Sequence, residues 1–300
     1  MELDHVEAFL AIVRRGGFTR ASASLGLSQP AISRRIDLLE RELGAPVFER
    51  VPSGVRITEA GRAFLPHAEA VLASVKDGVA AVEALRGPSG GAVSLAMVGT
   101  LASSTLTACL RRFRVAHAGV EVRLQTALSA EVSGLVRRGD ATLGLRYGSD
   151  GDRELMGEVI CDEPLVAVCA PGHGLAGRKV TARALEGERW ITFSGSTREP
   201  YGAAVMQGLA ACGVRAPDII PIDSLTAQKR MVEAGFGLAV LPASSVEEEL
   251  RSRSLRALRV PGLKTTLPIV LIRRRRAFQS GATQALAAAL VAWPAAQRSP

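Results

Sequence analysis

Nothing in this 300-residue chain is apolar for long enough to cross a bilayer, which takes a run of ~18 residues. Its four cysteines (Cys109, Cys161, Cys169, Cys212) have no CxxC spacing, and with its four scattered histidines (His5, His67, His117, His173) they form no zinc pattern. Buried free thiols are the expectation, with a redox-sensing pair such as Cys161 with Cys169 left open. GxSxG, P-loop, GxGxxG and HExxH are all missing. No histidine has a nucleophile partner at a motif spacing, so the expectation is a protein that is not an enzyme and has no cofactor or metal. MELDHVEAFL opens with acids where a secretory leader would be basic, so the expected location is cytoplasmic, with no membrane partner.

What is present is an ordinary globular composition, 47% apolar and 22% charged, at a length that suggests two domains. The net charge of +8 raises nucleic acid or an anionic ligand as partners. Its placement is less direct. Residues 1–86 carry 11 basic and 11 acidic side chains, so the whole surplus lies beyond them. Within 14–56, however, eight arginines face four acids, a local basic excess.

Leu3, Val6, Phe9, Leu10 and Val13 recur at helical spacing, and Gly16-Gly17 ends that helix. Thr19 reads as the N-cap of a short helix, 20–25, followed by Gly26 at a sharp turn. Ser28 caps a third helix with Pro30 in its first turn, and Gly44 stops it. Ile32, Ile36, Leu39 and Leu43 form its buried stripe, while Gln29, Ser33, Arg34 and Asp37 face solvent. Helix, Gly-containing turn, helix is the helix-turn-helix pattern. The exposed face suits base recognition, since Gln matches an adenine edge and Arg a guanine edge. A merely solvated face remains the other reading at this point. Residues 46–50 and 55–57 then read as a hairpin around Pro52-Ser53-Gly54, a wing from which Arg50 and Arg56 would meet phosphates.

The run FTRASASLGLSQPAISRRIDLLERELGAPVFER, residues 18–50, continuing through 55–61, resembles the DNA-binding signature of the LysR-type transcriptional regulators. Ser28-Gln29-Pro30-Ala31-Ile32-Ser33, Leu39-Glu40 and Leu43-Gly44 carry its specific core. Gly17, where the family often has Ser, and Ser22, where it often has Ala, are small departures; the missing Ser removes at most one phosphate contact. The resemblance implies a DNA-binding set of Thr19, Arg20, Ser28, Gln29, Pro30, Ser33, Arg34, Arg35, Arg50 and Arg56.

An apolar stripe of Ala60, Phe64, Ala68, Val71, Leu72, Val75, Val79, Val82 and Leu85 runs along 59–86. A helix of that length spans about 40 Å. It is expected to pack on its copy in a second subunit, or else on its own sensor domain, and 87–91 breaks it. From 92 onward strand-like segments (93–98, 120–127, 142–147, 165–170, 190–193, 219–222, 238–241) alternate with helix-like ones (104–114, 130–138, 202–211, 225–234). That alternation predicts βαβ units and mainly parallel sheets.

The expected organisation is a winged helix-turn-helix at 1–58, a linker helix at 59–87 and an α/β effector domain at 88–300. The resemblance implies that this domain folds like the two-lobed periplasmic binding proteins. Lobe one would take about 92–161 and 267–300, and lobe two 162–266. The chain would cross near 161–164 and return near 265–268. Ligands of open α/β sheets sit beyond the strands' carboxyl ends. Hydroxyls at those ends, Thr100, Ser103 and Ser129, with Phe193 in the Phe193–Ser196 segment, are matched to the family's effector pocket. N-capping alone is the competing reading. Arg146 is either a carboxylate partner or a surface arginine, and Arg273–Arg276 reads as a solvated strand end rather than a nucleic-acid patch.

The function implied is a transcription regulator that binds a promoter with two half-sites, tuned by a small effector, with a small anion expected. RNA polymerase and a homodimer or homotetramer are the further partners implied. A redox-driven or effector-independent regulator of the same family is the alternative. A transport solute-binding protein would need a secretory leader and no headpiece.

Overall fold

The computed structural model describes residues 1–52, 54–84, 91–178, 180–193 and 199–296. Leu85, Arg86, the expected break at 87–90, Ser53 and Ser194–Ser196 lie outside them. The chain divides into two compact units, residues 1–83 with Arg137–Asp140, and the rest.

The first unit contains α1 (Leu3–Arg15), α2 (Phe18–Leu25), α3 (Gln29–Leu43), strands β1 (Phe48–Val51) and β2 (Gly54–Ile57), and α4 (Glu59–Ala84). Gly16, Gly26 and Gly44 end the first three helices at φ of 69, 66 and 69°, the left-handed geometry that glycine adopts without strain. Ser28 Oγ accepts the Ala31 N–H, the N-cap that starts α3. Thr19 is not an N-cap. Helix α2 begins one residue before it, at Phe18, from Gly17, which offers no side-chain cap. Phe18 enters helical geometry early because its ring packs edge-on to Phe48 (centroids 6.0 Å apart). Phe9 is the centre of this core, 5.3 Å from Phe48 and 5.2 Å from Phe64, with Ile32, Leu39 and Val47 fully buried around it.

The linker stripe divides in two. Phe64, Leu65, Ala68 and Leu72 pack on the headpiece core. Val71, Val75, Val79 and Val82 remain 46, 44, 55 and 59% exposed. The headpiece therefore covers only the first half of α4, since its core ends where the helix projects beyond it.

The second unit is built on a mixed sheet of nine strands among the described residues. In chain order come β3 (Gly91–Val98), α5 (Ser104–Ala116), β4 (Val120–Ala127), α6 (Ser129–Arg137), β5 (Leu143–Tyr147) and β6 (Leu155–Cys169). They are followed by α7 (Ala182–Leu185), β7 (Arg189–Thr192), α8 (Pro200–Ala211), β8 (Asp218–Pro221), α9 (Leu225–Glu233) and β9 (Leu238–Pro242). The chain closes with α10 (Glu247–Ser252), β10 (Arg256–Leu258), β11 (Thr266–Arg274) and α11 (Gly281–Ala296). The strand order is β4-β3-β5-β11-β6-β9-β7-β8, with β10 also on β6.

Parallel pairing holds only inside the βαβ parts, β3 with β4 and β5, and β7 with β8 and β9. The expectation of mainly parallel sheets fails at β6 and β11, which pair antiparallel with each other and with β5, β9 and β10. A chain that crosses between two lobes and returns must run the two crossing strands in opposite directions. β6 changes partner between Pro164 and Leu165, from β11 to β9. Cys161 and Cys169 lie on this one extended strand, eight residues apart. At about 3.3 Å per residue their separation is roughly 26 Å, far beyond a disulfide's Cα span. Redox pairing of these two residues is therefore ruled out in this fold.

Candidate nucleic-acid interface and effector cleft

In the first unit, α3 presents Gln29, Pro30 and Arg34 as exposed residues, with Ser33 half-buried beside them. Thr19 Oγ1 reaches Gln29 Oε1 at 3.4 Å, so the start of α2 and the start of α3 share one exposed surface. Gly16, Thr19, Arg20, Gln29, Arg50 and Val55 line a groove of about 400 Å3. Four of the sequence-derived DNA residues, Thr19, Arg20, Gln29 and Arg50, meet there. Arg20 also donates to the Gly16 carbonyl at 2.8 Å.

Two of the anticipated arginines are otherwise engaged. Arg35 is ion-paired with Asp4 of α1 at 2.6 Å, tying the two helices together. Arg56 pairs with Glu49 directly across the hairpin at 2.8 Å, an exposed pair of small energetic value that a phosphate can replace.

Sequence reasoning missed what aims the wing. Glu40 of α3 accepts the N–H groups of Val47 (2.8 Å) and Phe48 (3.3 Å), fixing where the hairpin leaves α3. Thr58 donates to the Pro46 carbonyl at 2.7 Å and caps α4 through the Gly61 N–H at 3.0 Å. A Cβ at Gly61 would lie 2.3 Å from the Val47 oxygen, so only glycine lets α4 pass this close to the wing.

In the second unit, Thr100 and Phe193 are brought together through two tyrosines, Ser129 is tied to Glu199, and Ser103 makes only local hydrogen bonds among the described residues. Thr100 sits in a single 3-10 turn after β3 and its Oγ1 donates to Tyr147 Oη at 3.1 Å. Ser103 caps α5 through the Leu106 N–H at 3.4 Å and exchanges a 3.0 Å hydrogen bond with Thr105. Ser129 is buried at the start of α6, and its N–H donates to Glu199 at 3.1 Å. Phe193 meets Tyr201 edge-on at 5.4 Å, and Tyr201 lies 6.3 Å from Tyr147. Tyr201 donates to the Val240 carbonyl at 2.6 Å. These are the chain's only tyrosines, and both lie here. Burial pushes both phenols well above their usual range.

Arg146 is not a surface residue. It is buried, donates to Ser133 at 2.8 Å and is ion-paired with Asp150, so its carboxylate partner is internal. Arg146 thus fixes the loop after β5 rather than offering an open cation.

Glu163 is a buried carboxylate on the crossing strand that the sequence did not single out. It accepts the Ser244 N–H and the Ser244 hydroxyl, both at 2.9 Å. Burial raises its affinity for a proton, against the pull of these hydrogen bonds. Three thiols, Cys109, Cys169 and Cys212, are buried and burial moves them away from the reactive thiolate. Among the described residues no group of His, Cys, Asp and Glu could hold a metal ion, and no helix is long and apolar enough to cross a membrane.

The same two-part arrangement recurs in known proteins. Residues 3–62 match the family model "Bacterial regulatory helix-turn-helix protein, lysR family", and residues 86–295 match "LysR substrate binding domain". The chain is 31% identical to the HTH-type transcriptional regulator CbbR of Rhodospirillum rubrum, over 87% of this chain and 86% of that protein. It is 28% identical to the RuBisCO operon transcriptional regulator of Allochromatium vinosum, over 92% and 90%. Among solved structures, a full-length OxyR variant from Pseudomonas aeruginosa superposes with a TM-score of 0.71 at 17% identity, covering 97% and 94% of the two chains. CbnR complexed with its target DNA superposes at 0.66 and 24% identity, covering 98% and 100%. On these matches along both of its parts, the chain belongs to the LysR family of transcriptional regulators, pairing a helix-turn-helix head with an effector-binding domain.

Proposed function

We propose that Thr19, Gln29, Ser33 and Arg34 read base edges in a major groove while Arg20, Arg50 and Arg56 hold flanking phosphates. The observation that carries this reading is the single groove on which Thr19, Arg20, Gln29 and Arg50 converge. Gln and Arg match adenine and guanine edges bidentately, and wing arginines add affinity without sequence information. Ser28 and Pro30 set the start of the recognition helix, and Arg35 braces it against α1. Two heads are joined by the exposed Val71, Val75, Val79 and Val82 stripe, giving a dimer for two half-sites and, by further pairing, a homotetramer.

The cleft by Thr100, Ser103, Ser129, Tyr147 and Tyr201 takes a small effector bearing a carboxylate. Support comes from the Ser129 N–H, which already receives one carboxylate, that of Glu199. The effector's anion takes the place of Glu199 there. It thereby favours one arrangement of the lobes, and the population shift alters the bend in the promoter presented to RNA polymerase. The protein works on cytoplasmic DNA.

The test is selection of sheared host genomic fragments by the purified full-length protein at physiological salt. Recovery of an element with two half-sites beside a regulated gene is expected. Salt-sensitive bulk binding alone, with no enriched element even in the presence of cell metabolites, overturns the reading.

A further inference from the structure

A groove rich in arginine lies at the far end of β11. Met156, Arg273, Arg274, Arg275, Gln279 and Gln284 surround a groove of about 470 Å3 there. Arg273 stands near the end of β11 and Arg275 in the turn just past it, and both line the groove. Arg273 is half-buried, yet among the described residues neither it nor Arg275 has a carboxylate within ion-pair distance. The Arg275 Nε donates only to the Arg153 carbonyl at 3.3 Å, and its N–H to that of Glu154 at 2.8 Å. A half-desolvated guanidinium without a counter-ion is costly, whereas one paired with an oxyanion is stabilising. A strand end that is merely solvated would leave Arg273 exposed as Arg275 is, instead of half-buried.

Two further features match an anion that carries hydroxyls. Gln279 lines the groove, and its Oε1 is buried with no donor among the described residues. The 16-residue α11 begins at Gly281, two residues after Gln279, and Gln284 near its start lines the same groove. Ser280 Oγ receives the Thr283 N–H at 3.2 Å, which orders that first turn. We infer that this groove binds a small phosphate-bearing, hydroxylated metabolite, held by Arg273 and Arg275, as a regulatory site separate from the effector cleft. The groove opens at the end of the sheet where the chain enters β3, across from Thr142–Leu143 in the β3–β5–β11 ladder.

The experiment is thermal unfolding of the full-length protein in inorganic pyrophosphate against sodium chloride of matched ionic strength, for wild type and for Arg273→Gln with Arg275→Gln. A ligand that binds only the folded state raises the midpoint by mass action. Stabilisation by pyrophosphate beyond the salt control, weakened about tenfold or more in apparent affinity by the paired substitution, is expected. Operator binding by the variant should stay within about twofold of wild type, which separates this site from the DNA-reading head. The exposed Arg275→Gln alone serves if the double variant does not fold. No stabilisation of wild type, or equal stabilisation of the variant, overturns the inference. So does loss of non-operator duplex binding in the variant without any pyrophosphate effect, which assigns the groove to nucleic-acid backbone.

Discussion

The carboxylate of Glu199, at the start of α8, receives the main-chain N–H of Ser129, at the start of α6, 3.1 Å away and seventy residues apart in sequence. The bond joins a helix of one βαβ part to a helix of the other, and it fills a helix N-terminus with the protein's own negative charge. Glu199→Ala is expected to destabilise the effector domain by about 1–3 kcal/mol, as expected for a hydrogen bond to a charged group. It should also raise the affinity for carboxylate effectors. Chemical denaturation and effector titration read the two effects. A variant that is less stable and binds carboxylates no better would separate Glu199 from the effector.

Base readout and phosphate contact separate in their salt behaviour. Arg34→Ala should lower discrimination between operator and non-operator by about 1–3 kcal/mol. Arg50→Ala should weaken both equally and reduce the slope of log K against log salt by about 1. Fluorescence anisotropy across a salt series measures both. An unchanged preference in Arg34→Ala removes that residue from base reading.

Glu40→Ala leaves the N–H groups of Val47 and Phe48 without their acceptor. A loss of about 1–3 kcal/mol in headpiece stability follows if water does not replace the carboxylate. Looser wing geometry should also weaken operator binding, although Glu40 need touch no DNA. Full retention of both properties would mean that the hairpin is aimed by Thr58 and Gly61 alone.

Val75→Asp with Val79→Asp places charge in the exposed half of the α4 stripe. Sedimentation velocity should show a shift to monomer, with binding to a two-half-site operator falling far more than binding to one half-site. A variant that sediments as wild type moves the dimer contact elsewhere.

Glu163 makes a prediction with a definite sign. Burial raises its folded pKa above the unfolded value of 4.5, so the folded chain holds this proton more tightly. Its contribution to stability is therefore greatest at low pH and falls as pH rises from the unfolded pKa through the folded one. Glu163→Gln keeps an acceptor for the Ser244 N–H and a donor for its hydroxyl, and cannot ionise. The variant's advantage in unfolding midpoint should grow with pH over that window and then level off. An advantage that shrinks with rising pH would show that the Ser244 hydrogen bonds outweigh desolvation.

Much of the headpiece was legible because its signals are local. Ser28, Gly26 and Gly44 declare their helix ends within four residues, and the buried period of Ile32, Ile36 and Leu39 needs no partner to be seen. Thr19 misled because Phe18 obeys a tertiary contact with Phe48 rather than the capping preference of its neighbour. The first half of β6 was missed since its side chains are mostly exposed or half-buried and show no alternation, its strand geometry coming from β11 more than a hundred residues later. Arg146 and Arg35 carry no mark of their partners either. Asp150 and Asp4 are ordinary acids until folding brings them near. The hydroxyls Thr100, Ser103 and Ser129 were visible at their strand ends, whereas Glu163 and Glu199 were not, because their partners Ser244 and Ser129 lie eighty-one and seventy residues away in sequence.

Tyr147 and Tyr201 stand 6.3 Å apart beside Thr100 and Phe193, and the chain has no other tyrosine. The protein thus carries its own spectroscopic reporter. Incorporation of 3-fluorotyrosine should give two fluorine resonances, both from the second unit beside Thr100 and Phe193 and neither from the head. A metabolite mixture could then be searched for the compound that moves them, before any operator has been found.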